Sequence, residues 1–196
     1  MNQRGPETGD DGAGYLTGQL LIAMPNMRDP RFEKTVIYMC VHNAEGAMGL
    51  VVNKQIESIS FPQLLEQLEI DTPASPPVIR IHFGGPVESG RGFVLHSSDY
   101  GKNGTVTVDN AVALTATVDI LRDMAERRGP TRSLLALGYA GWGPGQLDGE
   151  LQQNAWLNVT ADEELIFGED VESTWERAIA KIGIDPRLLS GEAGHA

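Results

Sequence analysis

The apolar residues of this chain come in short runs, LLIAM, VIYMCV and LLALGY among them, separated by stretches rich in Gly, Pro, Asn and Asp. None approaches the ~20 apolar residues that a membrane-spanning helix needs. Runs this short, bounded by turn residues, read as β-strands. Residues 15–24 form a first strand, closed by a loop at 25–30 whose prolines Pro25 and Pro30 exclude regular ladder pairing. Residues 34–42 and 48–53 follow as a second and third strand, joined through the turn Asn43-Ala44-Glu45-Gly46 as a hairpin. Residues 78–83 and 92–97 read as strands flanking a Gly-rich loop. Residues 105–108, 134–139 and 156–159 complete the set, the continuous apolar run at 134–139 marking a central strand.

Helical spacing is less frequent. Ser60 and Gln63 form a capping box ahead of Phe61, Leu64, Leu65 and Leu68, which predicts a helix over 61–69. A second helix buries Val118, Leu121, Met124 and Ala125 and stops at Gly129-Pro130. Pro144 opens a third, running to Gln153, after a loop at residues 140–143. Asp170 or Ser173 caps the last long helix, whose buried stripe is Trp175, Ala178, Ile179 and Ile182. Gly183 ends it, and Asp185-Pro186 starts one more turn. Strands outnumber helices and the early connections are hairpins. The expected fold class is therefore a mixed α/β (α+β) domain, not a doubly wound parallel sheet.

A chain of 196 residues supports one sizeable core. We expect one domain over 15–196, after a polar tail at 1–14 that has neither the basic start nor the apolar segment of a signal peptide. The net charge of −12 bears on partners. From Trp142 to Glu176 there are nine carboxylates and no Lys, Arg or His. Such a surface repels phosphate backbones, so direct nucleic-acid binding is not expected. Arg122, Arg127, Arg128 and Arg132 form a basic cluster, but Asp119, Asp123 and Glu126 are interleaved with it as on a solvated helix face. The single cysteine excludes an intrachain disulfide and fits a reducing, cytoplasmic setting.

That cysteine is also the leading chemical candidate. On a regular strand Tyr38, Cys40 and His42 share one face, and Ile37, Met39 and Val41 the other. The fully apolar face is the natural core side, which leaves Cys40 on the more polar side beside an imidazole able to lower its pKa. The competing reading is a buried and inert thiol, the commoner state of a free cysteine. His42, His82 and His96 lie near strand ends without close ligand pairs, so no metal is expected; His195 falls in the C-terminal tail. GGPVESGRG and GYAGWGPGQL lack the spacing of phosphate-binding fingerprints and read as tight connections, and no cofactor is expected. Asp162, Glu163 and Glu164 read as a helix N-terminus.

Three blocks, GQLLIAMPNMRDPRFEKTVIYMCVHNAEGAMGLVVNK, FGGPVESGRGFVLH and LALGYAGWGPGQLDGELQQNAWL, resemble in order the signature blocks of the bacterial AlgH/YqgE family. The resemblance implies a branched, mostly antiparallel β-sheet curled into a barrel-like shape with helices around it, and a cytoplasmic protein. Some members carry the label of transcriptional regulator, which implies an indirect regulatory role. Cys40, His42, Asn43, Gly84, Gly85, Pro86, Gly141, Trp142, Gln146, Asn154 and Trp156 map onto the blocks without an agreed catalytic role. Val41 departs from the glutamate that many relatives carry there. The expected function is a non-catalytic regulatory or interaction module whose partner is a protein or a small ligand. The alternative is a thiol-based redox sensor or small-molecule enzyme centred on Cys40 and His42.

Overall fold

The computed structural model describes residues 15–189, so the tail at 1–14 and His195 lie outside the described residues. One ten-stranded sheet runs through the molecule in the order β10-β1-β2-β3-β9-β6-β8-β7, with a branch made by β4 and β5. Its strands are β1 (Gln19–Ala23), β2 (Val36–Asn43), β3 (Gly46–Val51), β4 (Gln55–Ile56), β5 (Ile81–Phe83), β6 (Val87–Ser97), β7 (Thr105–Thr107), β8 (Val112–Thr115), β9 (Ser133–Trp142) and β10 (Trp156–Thr160). Every pairing is antiparallel except β5 with β9. The result is a mixed α/β fold with a curled, half-barrel sheet, as the sequence and its resemblance imply.

β9 is the branch point. Its first half pairs with β6 and, in parallel, with β5, while residues 140–142 pair with β3. Gly138 makes this possible. Its φ of 73° suits a residue without a side chain, and a Cβ there would sit 2.3 Å from the Gly85 carbonyl oxygen. Across the junction, a Cβ on Gly84 would lie 2.2 Å from the Gly138 oxygen, and one on Gly85 2.0 Å from the Tyr139 carbonyl carbon. These glycines therefore let two backbones meet where the sheet divides.

Among the described residues six helices surround the sheet: α1 (Phe61–Gln67), α2 (Val118–Ala125), α3 (Gln146–Gln152), α4 (Glu163–Phe167), α5 (Thr174–Lys181) and α6 (Pro186–Leu189). α1 starts at the predicted capping box, with the Ser60 side chain accepting from Gln63 N–H and Gln63 reaching back to Ser60 N–H. Asp162 caps α4, accepting from Leu165 N–H at 2.9 Å, and Glu163 and Glu164 fill its first turn. No Ser173 side-chain bond caps α5; Asp170 instead accepts from Ser173 N–H in the turn before it.

Both sheet faces are buried. Leu20, Ile22, Val36, Tyr38, Leu50 and Leu95 pack on one side with Trp175, Ala178 and Ile179 of α5. Leu21, Ile37, Met39, Val51, Leu147, Trp142 and Trp156 pack on the other. A third cluster joins Phe61, Leu64 and Leu65 of α1 to Ile120, Leu121 and Met124 of α2. Each fully buried Leu, Ile or Phe here contributes roughly 1.5–3 kcal/mol. Among the described residues no helix is long and apolar enough to cross a membrane.

Val118, expected to be buried, is 40% exposed, α3 starts at Gln146 after Gly145 and not at Pro144, and four strand bounds are corrected. β1 starts at Gln19, four residues later than expected. β5 begins only at Ile81, because Pro76 and Pro77 precede a Val78 that is 99% exposed. β6 begins at Val87, with residues 88–91 looped out of an otherwise continuous pairing to β9. β9 continues through the expected loop to Trp142, since β3 pairs with residues 140–142.

Candidate functional site

The extension of β9 delivers Trp142 to the end of the sheet, and β10 begins with Trp156 beside it. Their rings meet edge to face at 6.0 Å, an arrangement that aromatic pairs favour. α3 spans the interval between them. Leu147, 1% exposed, fixes the inward side of this helix, and that places Glu150 under both indoles. Glu150 Oε2 accepts Trp142 Nε1–H at 2.9 Å and Trp156 Nε1–H at 2.7 Å. Its Oε1 accepts Gln146 Nε2–H at 3.1 Å, while Gln146 Oε1 accepts Gly143 N–H at 3.0 Å. One carboxylate thus satisfies two buried tryptophans and is oriented by the residue one helical turn before it.

Residues 26–32 form the facing wall of a cleft of about 660 Å³, with Pro86, Val87 and Gly141 on a third side. Phe32 stacks edge to face on Trp156 at 5.7 Å, and Met27 packs into the same cluster. Asp29 caps the short 3₁₀ turn Pro30–Phe32 through Arg31 N–H and takes the Arg31 guanidinium at 2.7 Å. That guanidinium holds the Asp29 carboxyl below its ordinary range. The cleft is therefore aromatic at its floor and charged at its rim.

Cys40 lies elsewhere and is buried, 7% exposed, in the core on the α5 side of the sheet. The expectation that it shares a face with His42 is corrected by the register. Met39 pairs with Gly49 and Val41 with Met48, so Cys40 is the extra residue of a β-bulge. Beyond the bulge the alternation is inverted: Val41 is 45% exposed, and His42 turns to the opposite side of the sheet from Cys40. There His42 Nδ1 accepts Leu16 N–H at 3.1 Å, which leaves Nε2–H facing Asp148 Oδ1 at 3.6 Å. Burial pushes the Cys40 thiol up to about 12, with no imidazole to oppose it.

The structure gathers Pro86, Gly141, Trp142, Gln146 and Trp156 at the cleft and sends the other singled-out block residues elsewhere. Asn43 closes the β2–β3 turn, accepting Glu45 N–H at 2.9 Å. Gly84 and Gly85 serve the sheet junction. Asn154, at φ 55°, ends α3 in a left-handed cap: its N–H donates to Leu151 and Ala155 N–H donates to Glu150. His82 and His96 are separately engaged, His82 with the Leu135 carbonyl and His96 with Ser97 and Thr115. Among the described residues no group of three or more His, Cys, Asp or Glu could hold a metal ion.

Sequence reasoning missed Glu150 and the wall at residues 26–32. A signal for Glu150 was present, since a buried tryptophan needs an acceptor for its N–H and α3 carries a carboxylate between the two. The wall lies within the first of the three blocks, but nothing local shows that it meets α3 and β10, more than a hundred residues away in sequence.

The profile of a family described as AlgH-like matches residues 20–187 of this chain. A UPF0301 protein of Rhodospirillum rubrum is 58% identical over 183 residues, covering 93% of this chain and 95% of that protein. One from Bradyrhizobium diazoefficiens is 58% identical over 192 residues, covering 94% and 90%. Among solved structures, the solution structure of the AlgH protein from Pseudomonas aeruginosa superposes with a TM-score of 0.76 at 42% identity, covering both chains completely. A crystal structure of a protein from Corynebacterium diphtheriae, 18% identical over 97% of this chain and 94% of that one, shares the fold with a TM-score of 0.70.

Proposed function

The chain belongs to the AlgH-like family, and from that premise we propose that it is a non-catalytic binding module whose ligand, or partner segment, occupies the Trp142–Glu150–Trp156 cleft. The observation that carries this reading is the carboxylate clamp on two indoles. It fixes aromatic surface and hydrogen-bonding groups in place before a ligand arrives, which lowers the ordering cost of binding. Among the described residues the cleft lining includes no cysteine, serine, threonine, histidine or lysine, and its second carboxylate, Asp29, is tied to Arg31. It offers recognition without an activated nucleophile.

A regulatory role follows as an indirect one, with occupancy of the cleft altering a partner's state instead of the protein reading bases. The net charge of −12 supports that choice. The lone cysteine supports a cytoplasmic setting. The thiol-centred alternative draws no support from a buried Cys40 facing away from His42.

Thermal unfolding of the protein with a chemically varied set of small ligands tests the reading. A cleft ligand raises the midpoint of the wild type, and its effect shrinks in Phe32→Ala, which removes one cleft wall. Ligands whose effect is untouched by Phe32→Ala but lost in Cys40→Ser would overturn it.

A further inference from the structure

The charged groups of the cleft narrow the class of ligand it takes. Four line it: Arg28, Asp29, Arg31 and Glu150. Asp29 and Arg31 neutralise one another through a two-pronged contact, Nη2 to Oδ2 at 2.7 Å and Nε to Oδ1 at 3.0 Å. Glu150 and Arg28 are left. The hydrogen bonds to the Glu150 side chain come from neutral donors only, two indoles and one amide, and no cation pairs with it among the described residues. Arg28 is exposed and has no ionic partner, hydrogen bond or ring contact among the described residues. The two groups line one cleft without pairing with each other, and Trp142, Trp156 and Phe32 surround them with aromatic surface.

We propose that the ligand is a small zwitterion with an apolar or aromatic body, an α-amino acid or a short peptide with free termini. Its ammonium sits on Glu150 and its carboxylate meets Arg28. This inference rests on the cleft being the binding site. A carboxylate has about four acceptor positions, and three on Glu150 are taken, which leaves room for one more donor. The Arg28 guanidinium presents the planar fork that carboxylates accept. An anion on Arg28 alone would leave the covered Glu150 carboxylate without a cation, and a cation on Glu150 alone would forgo the Arg28 contact, so a ligand carrying both charges gains most.

Titration calorimetry on the full chain with four probes tests this: L-phenylalanine and L-phenylalanyl-glycine as zwitterions, phenethylamine as the cation, and 3-phenylpropionate as the anion. At least one zwitterion is expected to bind about tenfold or more tightly than either single-charge probe, as one charged contact is worth that factor. The better of the two zwitterions tells an amino acid from a peptide. Glu150→Gln, which keeps an acceptor oxygen for the indoles, should reduce zwitterion affinity to that of 3-phenylpropionate. Arg28→Gln, at an exposed position, should reduce it to that of phenethylamine. A single-charge probe that binds as well as the zwitterions, or zwitterion affinity indifferent to both substitutions, overturns the zwitterion while leaving the cleft as the site. If no probe and no compound of the thermal screen registers at the cleft, the binding reading falls as well.

Discussion

Replacing Glu150 by alanine removes the acceptor shared by two tryptophans. Trp142 and Trp156 are 7% and 3% exposed, so each indole N–H loses its partner in a site where water enters poorly. An unsatisfied buried donor costs about 1–3 kcal/mol. Because both N–H groups sit at the edge of a cleft, the lower part of that range applies, and the pair sums to about 2–4 kcal/mol. That is a large part of the 5–15 kcal/mol that typically holds a domain folded. At this chain length it corresponds to a midpoint lowered by roughly 4–16 °C. Glu150→Gln retains an oxygen for the indoles but turns its amide toward the Gln146 amide, so about 1 kcal/mol is expected. Urea unfolding followed by far-UV circular dichroism measures both, free of the fluorescence change that the substitutions themselves cause. If Glu150→Ala and Glu150→Gln are equal, or both lie within ~0.5 kcal/mol of wild type, Glu150 is not the acceptor and the reasoning fails.

Native Cys40 should resist iodoacetamide up to about pH 10, with a thiol pushed up to about 12, and His42→Ala should leave its rate unchanged; a thiol titrating near 8 that moves in His42→Ala would contradict the bulge. His96 is buried with both ring nitrogens engaged, and burial lowers its pKa. The unfolded chain then binds a proton that the folded state refuses, so stability present above about 6.5 is lost as pH falls below it. Burial acts on His82 in the same direction. The slope between pH 6.5 and 5 should flatten in His96→Gln; a flat wild-type profile there would refute this. Gly85→Ala, whose Cβ would lie 2.0 Å from the Tyr139 carbonyl carbon, should yield no soluble folded protein, whereas Gly90→Ala, with nothing within 4 Å, should express and melt as wild type.

Much of the fold is legible in the sequence because its apolar runs carry their own period. The β2–β3 hairpin, the capped α1, the apolar stripe of α5 and the central place of β9 all follow from local pattern. What escapes depends on pairing. β8 has only four residues, VALT, and is a strand because β6 and β7 flank it. Gly141 reads as part of a loop, yet β9 runs through it because β3 pairs with residues 140–142, and at Gly138 the missing side chain admits the Gly85 backbone. The bulge at Cys40 is written nowhere in VIYMCVHN. It arises from two residues of β2 meeting Met48 alone, and it reverses the face of every residue after it. That single irregularity separates the thiol from the imidazole that sequence alone puts beside it. The cleft escapes for a related reason: Gly141, Trp142 and Gln146 are visible as a block, but Arg28 and Phe32 join them only through the fold.

The most direct test of the cleft as the working site is the response of the three indole N–H signals in ¹⁵N-labelled protein. Trp142 and Trp156 donate to Glu150 at the cleft floor, while Trp175 donates to the Ala23 carbonyl at 2.8 Å on the far side of the sheet and serves as an internal reference. On adding a ligand that stabilises the protein, the Trp142 and Trp156 signals should shift together and saturably, with Trp175 unmoved. A stabilising ligand that leaves both cleft indoles in place, or moves only Trp175 and residues around Cys40, would contradict the account.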